Sequence, residues 1–264
     1  MPNPQTANDL FESLKQSKPR VVLDGVVHYV VEGDLVLDED QLLVYAIRRV
    51  DVDAHPEVER QGLVAVADSS GRIVRWRPGK VLSYRVDKPS FPAPAQYQTV
   101  VNAMLAATAD WEAICGVDFK HQAQWDDAPP SGPIKPLFTV AHFDAGGEFI
   151  AAAFFPNDPP GRRVVLIDPS YFSPSLSFDK VGVLRHELGH VLGFRHEHIR
   201  SGAPPNCPDE STANTVDLTA YDPRSVMHYF CGGVGSRELA ITDVDRAGAR
   251  MVYGPPASEV AYMD

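Results

Sequence analysis

Cysteine is scarce in this chain of 264 residues: Cys115, Cys207 and Cys231 are the whole complement. Three thiols leave the redox compartment open, because Cys207 and Cys231 can pair and leave Cys115 free, or all three can stay reduced. Apolar runs of membrane-spanning length are missing. The start, Met1-Pro2-Asn3-Pro4-Gln5, lacks the charged and apolar regions of a signal peptide. The expectation from that start is a cytoplasmic chain, or one whose export signal is of another kind or lies outside this sequence. A basic excess is missing too, and the formal net charge of -11 argues against nucleic-acid and anionic-membrane surfaces. Its plainest meaning is solubility. What is present suffices for a sizeable core in one or two domains, with 44% hydrophobic and 22% charged residues.

The informative stretch is Arg185-His186-Glu187-Leu188-Gly189-His190-Val191-Leu192-Gly193-Phe194-Arg195-His196. Histidines four apart project from one face of a helix, so His186 and His190 can grip one metal ion. Glu187 lies beside them as a general base that later returns its proton as a general acid. Gly193 is the expected helix stop, since a residue tolerating positive φ lets the chain turn and bring back His196 as a third ligand. Three neutral nitrogens leave a fourth position for water, the mark of a catalytic rather than a structural zinc site. A bare HExxH can be an ordinary helix with unrelated histidines; the longer HExxHxxGxxH form weighs heavily against that.

This longer form resembles the metzincin clan of zinc peptidases, and Glu197 directly after the third histidine narrows the resemblance towards the astacin family. The resemblance implies an α+β fold with a twisted, mostly parallel sheet and an antiparallel edge strand. It also implies a long scaffold helix, an active-site helix and a smaller C-terminal subdomain. It covers about 75 to 254, with a pro-segment-like portion before it, giving an expected division into 1–71 and 72–264. Val31-Glu32-Gly33-Asp34-Leu35 is similar to the short pro-segment motif of astacins, in which an aspartate closes the open zinc position; equally, it reads as a Gly-Asp turn between two strands. Tyr221-Asp222-Pro223-Arg224-Ser225-Val226-Met227-His228-Tyr229 is similar to the family's Met-turn. There Met227 would form the hydrophobic base of the metal site, and Tyr229 would stand beside the zinc and stabilise the oxyanion. Glu197 matches a residue linked to the new N-terminus of mature astacins, or else forms a structural ion pair, for instance with Arg200. Cys115 matches a cysteine whose usual partner lies near the C-terminus, yet no cysteine follows Cys231.

The implied activity is zinc-dependent hydrolysis of internal peptide bonds, with one Zn2+ per chain and a protein or peptide as substrate. Neither nucleic acid nor membrane is expected as a partner, and the oligomeric state is open. The family points to a secreted protein despite the start of the chain. A metal-bound but silent binding module and a cytosolic effector protease are the competing readings.

Periodicity fills in the rest. Short helices are expected over 8–16, and after Asp38-Glu39-Asp40. The segment 21–35 reads as strands and turns, 81–86 as a strand after Trp76, and 94–114 as a long helix burying Tyr97, Val100, Val101, Met104, Leu105 and Trp111. Strands are expected over 137–142, 149–155 and 163–167. The Ala151-Ala152-Ala153-Phe154-Phe155-Pro156 stretch is similar to the matrixin strand that borders the substrate cleft. A last helix opens at Thr242 with Val244, Ala247 and Met251 turned inward.

Overall fold

The computed structural model describes residues 6–53, 63–129, 132, 135–199 and 215–261. Helix α1 (Ala7–Ser17) starts where Thr6 and Asp9 form a reciprocal capping box, and it buries Phe11 and Leu14. Strands β1 (Arg20–Leu23), β2 (Val26–Val31) and β3 (Leu35–Asp38) make an antiparallel meander. The β1–β2 turn is Asp24-Gly25, both at positive φ, which is the residue pair such a two-residue hairpin turn favours. Asp38 then caps helix α2 (Glu39–Asp53): its Oδ1 accepts from Gln41 N, and Gln41 Oε1 accepts from Asp38 N. Phe11, Leu14, Tyr29, Val31, Leu35, Leu42 and Ala46 form a small core of their own between helices and meander.

The larger core belongs to the rest of the chain. Strand β4 (Val64–Val66) pairs antiparallel with β10 (Thr215–Asp217). Strands β5 (Val81–Val86), β6 (Asp118–His121), β7 (Phe138–His142), β8 (Ala151–Ala152) and β9 (Val164–Ile167) form one sheet in the order β6-β5-β7-β9-β8. Every pairing in that sheet is parallel except β8 on β9, so the expected antiparallel edge strand is there. Helix α3 (Pro94–Glu112) and helix α4 (Lys180–Val191) pack together; Trp111 Nε1 donates to Arg185 O at 2.9 Å, and Arg185 pairs with Asp110. Helix α5 (Asp243–Tyr253) closes the C-terminal part behind a Thr242–Asp245 capping box. Among the described residues, no helix is long and apolar enough to cross a membrane.

Three sequence expectations are corrected. Leu105 lies outside the α3 stripe at 48% exposure, because Ala103, Ala107 and Thr108 take the positions facing the sheet. The strand expected over 149–155 shrinks to Ala151–Ala152. Helix α5 turns Asp245, Gly248, Ala249 and Val252 inward while Met251 is 67% exposed. An apolar count misjudged that face because its buried stripe contains a carboxylate.

The N-terminal meander lies against the edge of the large sheet. Val21 and Val30 share an apolar cluster with Ala152 and Leu166, so β8 is covered from this side.

Candidate metal centre and cleft

Helix α4 begins where Asp179 accepts from Gly182 N at 2.7 Å. It ends at Val191, and Gly193 takes φ +95 with a Cβ position only 2.7 Å from Val74 O, so only glycine fits the turn. Phe194 N donates back to Gly189 O, and the chain returns His196 to within 3.1 Å of His190, measured between Nε2 atoms. The backbone here is fixed from outside as well: Val66 N donates to Gly193 O and Arg195 N to Val64 O.

Tautomers follow from the partners. His186 Nδ1 lies 2.8 Å from Val226 O and His190 Nδ1 lies 2.8 Å from Phe194 O. A carbonyl only accepts, so each Nδ1 carries the proton and each Nε2 turns a lone pair inward. Burial pushes His190 down to about 4, which keeps it neutral. Asp34 Oδ2 sits among these nitrogens, 3.0 Å from His196, 3.3 Å from His186 and 3.5 Å from His190. The four buried side chains form a group able to hold one metal ion.

The donor set fits zinc. Tetrahedral donors about 2.0–2.1 Å from the ion stand about 3.3 Å apart, the spacing found among these atoms. A carboxylate in this ring of nitrogens needs positive charge beside it, supplied by a metal ion or by protons on the imidazoles. Burial works against the ionised form of Asp34, yet the pull of His196, His190 and His186 holds its carboxyl well below the usual range. Its Oδ1 and Glu187 Oε2 have no hydrogen-bond partner among the described residues. Burial first, and the Asp34 charge second, push Glu187 well above the usual carboxylate range.

The turn that carries Asp34 joins β2 to β3, as expected of a Gly-Asp turn between two strands. Glu32 and Gly33 have φ of +54 and +88, and a Cβ on Gly33 would come within 2.7 Å of Tyr229 Oη. Tyr229 donates to Glu32 O at 2.7 Å, with its ring 4.3 Å from that of His196. Met227 is fully buried, its thioether against Gly189 where a Cβ would collide. Glu197 is buried too: Oε1 accepts from Asp222 N at 2.9 Å, and its own N donates to Met227 O. Arg200, its suggested ion partner, lies outside the described residues, as does Cys207. Cys231 is disulfide-bonded and Cys115 is a free, buried thiol.

Three contributors escaped the sequence reading. Asp245 accepts from Ser225 Oγ and Val226 N, which fixes the segment that orients His186 and carries Met227. Trp76 Nε1 donates to Val191 O at 2.7 Å and supports the end of α4. Glu32 forms a buried ion pair with Arg195. A cavity of about 400 Å3 opens beside Glu187, with Phe178, Val183, Tyr229 and Leu239 in its wall. The N-terminal turn lies over the histidines, which are buried.

A family model described as Matrixin matches residues 75–203. Zinc metalloproteinase nas-34 of Caenorhabditis elegans is 25% identical over 251 residues, covering 87% of this chain. The chain spans only 36% of that relative's length. Zinc metalloproteinase nas-2 of the same organism is 40% identical over 57 residues, 18% of this chain and 20% of its own length. Among solved structures, myroilysin superposes with a TM-score of 0.49 at 18% identity, covering 72% of this chain and 98% of its own. High choriolytic enzyme 1, a hatching enzyme zinc-protease from Oryzias latipes, gives a TM-score of 0.44 at 15% identity over 72% of this chain and 93% of its own.

Proposed function

We propose that this chain, a metzincin zinc metallopeptidase, is an astacin-like endopeptidase that hydrolyses internal peptide bonds, and that the form with Asp34 among the histidines is latent. The observation that carries the reading is the convergence of three histidine Nε2 atoms and one carboxylate oxygen beside a buried glutamate. His186, His190 and His196 would hold the metal. Zinc bound there supplies Lewis acidity, which acidifies a water and polarises a carbonyl. Glu187 takes the proton of the attacking water and gives it to the leaving amine. Tyr229, released from Glu32 O, donates its phenol hydrogen to the developing oxyanion. Met227 forms the apolar floor under Gly189.

The position of Asp34 among the histidines supports latency, because a carboxylate there stands in the way of a scissile carbonyl. Activation then requires loss of the N-terminal segment. The division that we propose falls before residue 63 rather than between 71 and 72, because Leu63 packs in the large core and Val64 holds Arg195. Glu197 has a structural role in the uncut chain through Asp222. The disulfide at Cys231 supports a secreted destination, which activity in the culture supernatant would test.

The same Asp34 contact favours a second reading, a permanently closed binding module. Limited proteolysis of the full chain followed by assay on denatured casein separates the two. The nicked wild type should cleave, and Glu187→Ala should be slower by about 10²–10⁴-fold. Equal inertness of both would end the peptidase proposal.

A further inference from the structure

Residues 6–53 hold themselves together. Among the described residues that build their apolar core or pack against it, only Phe155 comes from beyond residue 53. Lys15 of α1 pairs with Glu39 of α2, and Arg20 Nη2 donates to Lys15 O at 2.6 Å. A unit this small stands just above the floor of about 40 residues below which chains usually need a metal or a disulfide to fold. It gains order from the surface that it covers.

That surface is gripped by side chains rather than by a ladder. No strand of the meander pairs with the five-stranded sheet among the described residues. Instead Val21 and Val30 share an apolar cluster with Ala152 and Leu166 at the β8–β9 edge. The buried Asp38 carboxylate pairs with Arg162, and Gln41 Nε2 donates to Asp158 Oδ1 at 3.1 Å. Nearer the metal centre, Glu32 pairs with Arg195, Tyr229 donates to Glu32 O, and Asp34 meets the three histidines. An apolar patch flanked by paired polar groups is the composition of a stable protein–protein interface. None of these contacts uses the stretch that joins residue 53 to residue 63.

A short covalent joint holds two such surfaces at an effective concentration of about a millimolar. Cutting the joint removes that advantage and leaves each contact in place. Asp34 then stays on the histidines until the whole segment departs. We propose that the metal centre and the β8–β9 edge form a docking surface for the excised N-terminal segment, which remains on the cut chain as a non-covalent inhibitor, so that activation follows its release and not the cut itself. This rests on the peptidase reading above, and it adds a dependence on concentration that the Asp34 contact alone does not require.

The test uses the zinc-loaded full chain cut by limited proteolysis between residues 53 and 63. At micromolar concentration the two pieces should co-elute in gel filtration, a measurement that involves no catalysis. Dilution to low nanomolar concentration should then raise the activity per mole on a fluorogenic peptide by about tenfold or more, after a lag set by dissociation. Arg162→Glu sets a second negative charge against Asp38 and should move the dilution midpoint to about tenfold higher concentration or more. Its activity when fully diluted should match the wild type, since the described walls of the cavity beside Glu187 do not include Arg162; a misfolded variant would lose that activity. Pieces that elute apart, or full activity per mole at micromolar concentration straight after the cut, overturn the docking. An unmoved midpoint in Arg162→Glu overturns the surface assigned to it. Inactivity at every dilution, shared by the cut Asp34→Ala variant, ends the peptidase reading and this inference with it.

Discussion

At Asp34 a single carboxylate oxygen is in contact with all three histidines, 3.0 to 3.5 Å from their Nε2 atoms. A change that removes only this carboxylate leaves the nitrogens, Glu187 and Tyr229 in place. Asp34→Ala should therefore raise the activity of the uncut chain on a fluorogenic peptide by about tenfold or more, as expected for loss of a charge-assisted ligand. An unchanged rate would remove the latch. The histidines answer a different measurement. Elemental analysis should find one zinc per chain in the wild type and little in His190→Ala, because His190 is fully buried and its loss leaves two nitrogens. Retention of stoichiometric zinc in that variant would mean that the metal lies elsewhere.

Helix α4 and the turn bearing Met227 show which parts of the site the sequence revealed. The spacing of His186, Glu187 and His190 is the helix period itself, and Gly193 is punctuation that any reader of helix ends recognises. The structure has a helix over the first three and a left-handed turn at Gly193. Asp245 gave no such signal, because its capping partners are three residues away but its second task is to bind Ser225 Oγ and Val226 N, twenty and nineteen residues away. Val226 O in turn orients His186. Glu32 and Arg195 are farther apart still in the chain, 163 residues, and only the folded meander brings them together. Pairings of this kind are set by tertiary packing, so periodicity does not disclose them. Asp245→Ala should destabilise the chain by about 2–4 kcal/mol in denaturant melts, since it leaves buried donors unpaired. It should also weaken zinc binding, as loss of support for a ligand's partner commonly does by about 10–100-fold. A surface-like effect below about 0.5 kcal/mol would contradict the role given to Asp245.

Among the described residues, one large core and two smaller apolar clusters build the molecule, and helix α5 belongs to the large one. The family likeness would have Cys115 joined to a later cysteine. Here Gly116 N donates to Gly254 O at 3.0 Å and Arg250 Nε donates to Ile114 O at 2.8 Å, and Ala249 and Val252 share the large core with Trp111 and Ile114, which together bring α5 to the end of α3. Cys115 lies beneath this junction, fully buried within the large core. Burial pushes its thiol up to about 12. At pH 8 an ordinary cysteine with a pKa of about 8.5 is about one quarter thiolate, whereas a thiol near 12 is about one part in ten thousand. Lost access compounds that loss of reactivity, because no local opening exposes Cys115 without parting α3 from α5. Iodoacetamide should therefore leave the native chain unmodified at pH 8. The same chain unfolded in guanidinium without reductant should take up one equivalent, on the peptide containing Cys115. The slow uptake under native conditions should accelerate with denaturant in step with global unfolding. Rapid labelling of the native chain would show that the junction opens by itself and that its hydrogen bonds and apolar packing do not hold Cys115 closed.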